Sequence, residues 1–214
     1  MKKAGDDIRR EYLHGGISEV DMLTDPVQQF NRWFDEAVEA GVDLPNAMAL
    51  ATSGADNMPA VRYVLMKGFS QDGFIFYTHS ISLKGRHLAE NPQAAALFYW
   101  SPMDRQVRLS GGVVGLDEMP ANAYFRSRPR DSQISAWVAA QSSVVESRAV
   151  LEAEFNRLSD VYGDSEIPRP PGWQGYRLRP DKMEFWQGRA GRLHDRIEYI
   201  RKPDGDWDMH RLAP

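Results

Sequence analysis

The chain reads as mainly β with inserted helices (α+β), an antiparallel barrel rather than a parallel βαβ sheet. Three observations predict this. Short runs rich in β-branched and aromatic residues recur at hairpin spacing. Helical periodicity is confined to a few segments between them. No G-x-G-x-x-G follows a strand, which argues against a parallel dinucleotide-binding sheet. With 214 residues the chain is long enough for one domain with a sizeable core.

Residues 1–24 are polar and read as an N-terminal arm, with a short helical piece around Arg9 to Tyr12; residues 25–214 then form a single domain. Asp25-Pro26 is an N-cap followed by proline at the first helical position. Val27, Phe30, Phe34, Ala37 and Val38 fall on one face of that helix, and Gly41 ends it. Strands over 48–52 and 59–67 flank a turn at 53–57, and a strand over 74–78 follows the Asp72-Gly73 turn as a hairpin meander. A short helix over 82–91 is stopped by Pro92. Strands resume over 94–100 and 106–116, with Gly111-Gly112 as a bulge or barrel corner. The middle is helical over 120–128, 132–139 and 144–162. Val150, Leu151, Phe155 and Leu158 keep helical spacing in the last of these. Pro168, Pro170 and Pro171 mark a surface loop. Strands over 176–178, 183–187 and 193–201, a turn at 203–205 and a closing segment over 207–212 complete the chain.

Composition excludes several classes of function. Net charge is −4, so no global basic field supports non-specific nucleic-acid binding, and any anion site must be a local cluster. The absence of cysteine excludes disulfides, thiol catalysis and cysteine-ligated metals. Lys2 and Lys3 are followed by polar residues rather than an apolar run, and no segment is apolar for long enough to span a membrane. The expectation is a cytoplasmic protein with neither nucleic acid nor membrane as partner. The 5 histidines are scattered, without metal-ligand spacing, so no metal is expected. No G-x-S-x-G elbow marks a serine nucleophile.

Four clusters carry candidate chemistry. From Glu184 to Arg196, thirteen residues hold three arginines, a histidine, two carboxylates and Trp186. Arg192, His194 and Arg196 are spaced by two and would share one strand face, suited to a planar anion. The alternative is a solvated edge strand whose charges pair with Asp195 and Glu198. Arg62 and Lys67 bracket a strand, with Thr78 and Lys84 near a helix N-terminus, as a phosphate requires; solvated charges are the other reading. Tyr124, Arg126, Arg128, Arg130 and Ser132 suit a second phosphate, unless the arginines cap helix carbonyls. Gln141-Ser142-Ser143 adds hydroxyls, or serves as the N-cap of the long helix. Residue chemistry alone supports one or two phosphate-bearing aromatic ligands on a barrel.

The run Glu184-Phe-Trp-Gln-Gly, followed by Arg192-Leu-His-Asp-Arg196, closely resembles the signature of pyridoxine/pyridoxamine 5′-phosphate oxidases. So do 62–67, Tyr77-Thr78, 127–133, 141–143, the early 9–12 and the closing 211–214, in the family's order over nearly the whole chain. The resemblance implies an FMN-binding split β-barrel, assembled as a homodimer with flavin at the subunit interface. It implies FMN contacts from Arg62, Val64, Leu65, Met66, Lys67, Tyr77, Thr78, Lys84, Gln106, Gln141, Ser142, Trp186 and Arg196. Lys67, Tyr124, Arg128 and Ser132 would hold the substrate's phosphate. Arg192 and His194 would lie over its ring as the catalytic pair, with Arg9 and Tyr12 closing above. Glu184 and Asp195 would orient these cations.

The implied reaction is oxidation of pyridoxamine or pyridoxine 5′-phosphate to pyridoxal 5′-phosphate, with hydride passing from C4′ to flavin N5. O2 would be the electron acceptor, giving H2O2, with NH3 from the amine. The alternatives are a split-barrel flavin reductase acting on another substrate, or a non-catalytic carrier of pyridoxal phosphate or FMN. One departure stands out: the family usually has an arginine, a flavin-phosphate ligand, just before the lysine matched by Lys84, and here it is Leu83. Weaker FMN retention, or rescue by Arg86, is the expected consequence.

Overall fold

Local signals set the helices of the computed structural model, which describes Tyr12 and residues 15–214. Helix α1 spans Pro26–Glu39, and the Asp25 carboxylate accepts from the Val27 and Gln28 amides at 2.8 and 3.4 Å. Its buried face carries Val27, Phe30, Trp33 and Ala37. Val38, expected on that face, is 52% exposed, because Trp33 rather than Val38 completes the apolar stripe. The later helices are α2 (Leu83–Glu90), α3 (Glu118–Ser127), α4 (Arg130–Val138) and α5 (Arg148–Tyr162). Helix α5 starts later than the apolar pattern suggested, since Ser147 caps it and Val144 is fully exposed.

Among the described residues nine strands form one sheet: β1 (Ala47–Ser53), β2 (Pro59–Leu65), β3 (Gly68–Ser70), β4 (Gly73–His79), β5 (Gln93–Trp100), β6 (Arg105–Gly115), β7 (Trp173–Gln187), β8 (Asp195–Arg201) and β9 (Trp207–Arg211). Their order is β2-β1-β5-β6-β7-β4-β3, with β8 pairing β7 and β9 pairing β8. Antiparallel registers run from Phe74↔Leu178 to His79↔Trp173 between β4 and β7, and from Lys182↔Ile200 to Gln187↔Asp195 between β7 and β8. The antiparallel, mainly β class with inserted helices is therefore the one the sequence predicted.

Two expected strands, 176–178 and 183–187, are one 15-residue strand. Pro180 falls between the β4 ladder, which ends at Leu178, and the β8 ladder, which begins at Lys182, so its missing N–H interrupts neither. Strand β6 continues through Gly111-Gly112 to Gly115. Strand β8 starts at Asp195, two residues later than expected.

The chain divides into two compact units, one of Met1–Ala49, Ala95–Gly111 and Pro180–Pro214, the other of Leu50–Ala94 and Gly112–Arg179. In the first, Phe30 of α1 meets Phe98 at 5.0 Å, and Trp33 meets Phe185 edge-on at 5.2 Å. These rings are essentially inaccessible, so each contributes about 1.5–3 kcal/mol or more through burial. In the second unit, Phe125, Ile134, Leu158, Ile167 and Trp173 form one core cluster, to which α3, α4 and α5 each contribute a residue. Among the described residues no helix is long and apolar enough to cross a membrane.

Candidate functional site

One cluster in the second unit brings together Arg62 and Lys84. Along β2 the residues alternate, with Arg62 and Val64 half-buried while Tyr63 and Leu65 are exposed; Met66 beyond the strand is buried. The Arg62 Nη1 donates to the Leu50 carbonyl at 3.2 Å and to Thr52 Oγ1 at 2.7 Å. Lys84, in the first turn of α2 behind the Ser82 cap, is only 8% exposed. Its Nζ donates to Gln141 Oε1 at 2.8 Å and Thr78 Oγ1 at 3.2 Å, and the Thr78 hydroxyl donates to the same Gln141 oxygen at 2.8 Å. Burial, followed by the charge of Arg62, pushes the Lys84 ammonium down to about 8; burial also lowers Arg62. Neither cation has a carboxylate partner among the described residues. A buried cation with only neutral partners is costly unless an anion completes it.

The Gln141 and Ser142 side chains belong to this cluster and not to a helix cap, since Ser147 caps α5. Ser142 has φ +73°, and its Oγ accepts the Leu83 amide at 3.3 Å. Arg86, named in sequence as a possible rescue for the arginine that Leu83 replaces, is exposed and donates to the Ile81 carbonyl at 2.5 Å.

A cavity of about 470 Å³ adjoins these groups and is lined by Lys67, Tyr124, Arg128 and Ser132 together with Tyr77, Thr78 and Lys84. Val64, Leu65 and Gln141 line it too. Its aromatic wall is a stack: Tyr77 lies 4.2 Å from Tyr124 and 5.2 Å from Trp173, with planes within 22° and 11°. Gly175, which faces Tyr77 across the β4–β7 ladder, makes the stack possible, because a Cβ there would come within 2.8 Å of Tyr77 Cε1. Arg128 stands over Trp173 at 5.1 Å and Phe125 at 5.5 Å, and its Nη1 is buried without a hydrogen-bond partner. Burial lowers its pKa. The carbonyl-capping role belongs instead to Arg130, which donates to Ser165 and Gly163 beyond the end of α5.

In the first unit the row of charges is not the single strand face that its spacing suggested. Arg192 closes a short turn, Ala190–Arg192, with φ +62°, and His194 precedes β8. A non-glycine residue in the left-handed region costs about 1–3 kcal/mol and persists where its surroundings hold it. Arg192 is exposed and makes no hydrogen bond or ion pair among the described residues. His194 Nδ1 accepts the Arg189 amide at 3.1 Å, which leaves the hydrogen of the neutral ring on Nε2. Its ring lies 4.7 Å from Trp186 and 5.1 Å from Tyr12, and Tyr12 meets Trp186 edge-on at 5.6 Å.

Arg196 alone of the three cations lies on the strand, opposite Trp186. Its Nε and Nη2 donate to buried Glu184 at 2.9 and 3.1 Å, and its Nη1 to the Ala213 carbonyl at 2.7 Å. Arg108 of β6 also reaches Glu184, at 3.3 Å, and Gln106 lies two residues before it on the same strand face. Asp195 does not orient Arg192; it accepts from Arg189, Arg211 and the Ile17 amide. Arg9 lies outside the described residues.

Sequence reasoning passed over Trp173, Thr52 and His87. The aromatic-rich Trp173–Tyr176 stretch carried a signal for Trp173, but the proline-rich loop before it pulled the expected strand start to 176. Nothing local marks Thr52 and His87, which meet across 35 residues.

Residues 34–162 match the model of the pyridoxamine 5′-phosphate oxidase family, and 173–214 match that of the pyridoxine 5′-phosphate oxidase C-terminal dimerisation region. A curated relative from Cupriavidus necator, a pyridoxine/pyridoxamine 5′-phosphate oxidase, is 50% identical over 97% of this chain and 98% of its own. Among solved structures, PhzG from Burkholderia lata in complex with tetrahydrophenazine-1-carboxylic acid superposes with a TM-score of 0.86. It is 34% identical, covering 91% of this chain and 95% of its own. A pyridoxamine 5′-phosphate oxidase-related, FMN binding protein from Nostoc punctiforme shares the fold, with a TM-score of 0.69, 16% identity and coverage of 86% and 97%.

Proposed function

Because the chain belongs to the pyridoxamine 5′-phosphate oxidase family, we propose that it oxidises pyridoxamine and pyridoxine 5′-phosphates to pyridoxal 5′-phosphate with FMN as cofactor and O2 as acceptor. The observation that carries this reading is the set of buried or half-buried cations, Arg62, Lys84 and Arg128, facing neutral partners or, at Arg128 Nη1, none. Two phosphate esters, one on each ligand, answer that demand. When bound, FMN would supply a two-electron acceptor for the C4′ hydride and a route for those electrons to O2, giving hydrogen peroxide, and the oxidised amine substrate would release ammonia on hydrolysis.

The chain's own residues bind and orient. Arg62, Lys84, Thr78, Gln141 and Ser142 hold the flavin phosphate, with Val64, Leu65, Met66, Lys67 and Tyr77 beside them. Gln106, Trp186 and Arg196 serve the flavin ring; the bidentate bond to Glu184 fixes the Arg196 guanidinium. Lys67, Tyr124, Arg128 and Ser132 grip the substrate phosphate, whose binding holds C4′ in near-attack geometry. Arg192, unpaired among the described residues and held by a left-handed turn, stabilises charge at the substrate ring, and His194 offers Nε2 for hydrogen bonding or proton transfer. Arg9 and Tyr12 close above them.

The working unit is a homodimer, supported by the match to a dimerisation region at 173–214. Residues 25–214 act as a single domain behind the arm of 1–24, supported by strands β1, β5, β6 and β7, which contribute to both compact units. A phosphorylated substrate, confined by its charge, supports a cytoplasmic location.

With FMN and pyridoxamine 5′-phosphate in air, one pyridoxal 5′-phosphate should form for each O2 consumed. O2 consumption without the aldehyde, or no turnover of either vitamer, would refute the reading.

A further inference from the structure

We propose that His87 is a positioning residue for the flavin phosphate site, acting through the Thr52 hydroxyl to fix the Arg62 guanidinium. The proposal rests on the assignment of Arg62 to that phosphate. Thr52 lies on the buried side of β1 and is 3% exposed; His87 lies on α2 and is 9% exposed. Arg62 can only donate hydrogen bonds, so Thr52 Oγ1, 2.7 Å from its Nη1, must accept. The hydroxyl's own proton is then free for His87 Nδ1, 3.3 Å away. The direction of each bond follows: Arg62 donates to Thr52, and Thr52 donates to a neutral His87 whose ring hydrogen sits on Nε2.

The relay has a structural consequence. Among the described residues, both Arg62 bonds, to Thr52 and to the Leu50 carbonyl, use Nη1. Nε and Nη2 are left for a ligand, and the guanidinium is anchored at one corner. Without an acceptor at His87, the buried Thr52 proton has no partner there; the hydroxyl turns to another acceptor and releases that corner. Arginine then loses the fixed geometry that a phosphate exploits. This matters more here because Leu83 removes one arginine from the same site and Arg86 is held at the Ile81 carbonyl.

The test compares FMN with riboflavin, which lacks the phosphate, by titrating apoprotein and following quenching of flavin fluorescence. His87→Leu and Thr52→Val should each weaken FMN about tenfold or more while leaving riboflavin affinity unchanged. His87→Asn, whose Oδ1 can replace Nδ1 as acceptor, should stay close to wild type. The double variant His87→Leu/Thr52→Val should be no weaker than Thr52→Val alone. Unchanged FMN affinity in Thr52→Val or His87→Leu, or equal losses for FMN and riboflavin, overturns the relay. Wild-type protein with no preference for FMN over riboflavin overturns the flavin-phosphate assignment itself, and the relay with it.

Discussion

Replacing Arg128 with methionine tests the substrate-phosphate assignment and separates binding from folding. In the free protein the guanidinium gains from the Trp173 and Phe125 faces, about 0.5–1 kcal/mol at each. Against this stands a buried Nη1 with no partner, a cost of about 1–3 kcal/mol. Methionine keeps the apolar stem on Trp173 and removes the orphaned donor. The two effects nearly cancel, so the variant's stability should lie within about 1 kcal/mol of wild type, measured by urea unfolding of the apoprotein. Substrate binding behaves differently. Losing one charge-assisted phosphate bond costs about 1.5–3 kcal/mol, which raises the Kd for pyridoxamine 5′-phosphate about 10- to 150-fold. The phosphate is remote from C4′, so kcat at saturating substrate should change little. Pyridoxamine without its phosphate should bind wild type and variant equally. A large fall in kcat with unchanged affinity, or an equal loss for the dephosphorylated vitamer, would refute the assignment.

The remaining expectations concern the flavin site and the catalytic turn. Lys84 has a depressed pKa of about 8 in the free protein, and a bound phosphate dianion favours its charged form, so FMN binding takes up a proton. FMN affinity should therefore fall as pH rises above about 8, and Lys84→Met should flatten that dependence; an unchanged slope would sink the role. The same depression makes the apoprotein more stable as pH rises from about 8 towards the ordinary lysine value of 10.5, because the unfolded chain then holds more protons. Leu83→Arg should tighten FMN about tenfold or more, and affinity equal to wild type would mean that the missing arginine is immaterial. Arg192→Ala should lower turnover about a hundredfold or more while the protein stays yellow, and wild-type turnover would reject Arg192 as a catalytic group.

Elements marked by local chemistry were legible in the sequence, whereas long-range pairings were not. Asp25-Pro26 declared α1 because capping acts within three residues. The expected gap between 178 and 183 is not there because pairing with β8 begins just beyond the end of pairing with β4, and nothing local marks that change of partner. The two-residue spacing of Arg192, His194 and Arg196 suggested a shared strand face, but Gly191 and Arg192, both with positive φ, turn the chain before β8 begins. The arginines of the 124–132 cluster looked equivalent in sequence. Only tertiary packing separates Arg128, with its empty Nη1, from Arg130, which caps α5. The Thr52–His87 contact needed the strand and helix placed side by side.

The most direct test of the oxidase reading is anaerobic. FMN-loaded protein is mixed with pyridoxamine 5′-phosphate in the absence of O2, and flavin absorbance is followed through a single turnover. The oxidised flavin should bleach as pyridoxal 5′-phosphate forms, and its colour should return when O2 is admitted. A flavin that stays oxidised with this substrate but bleaches with a nicotinamide donor would contradict that reading.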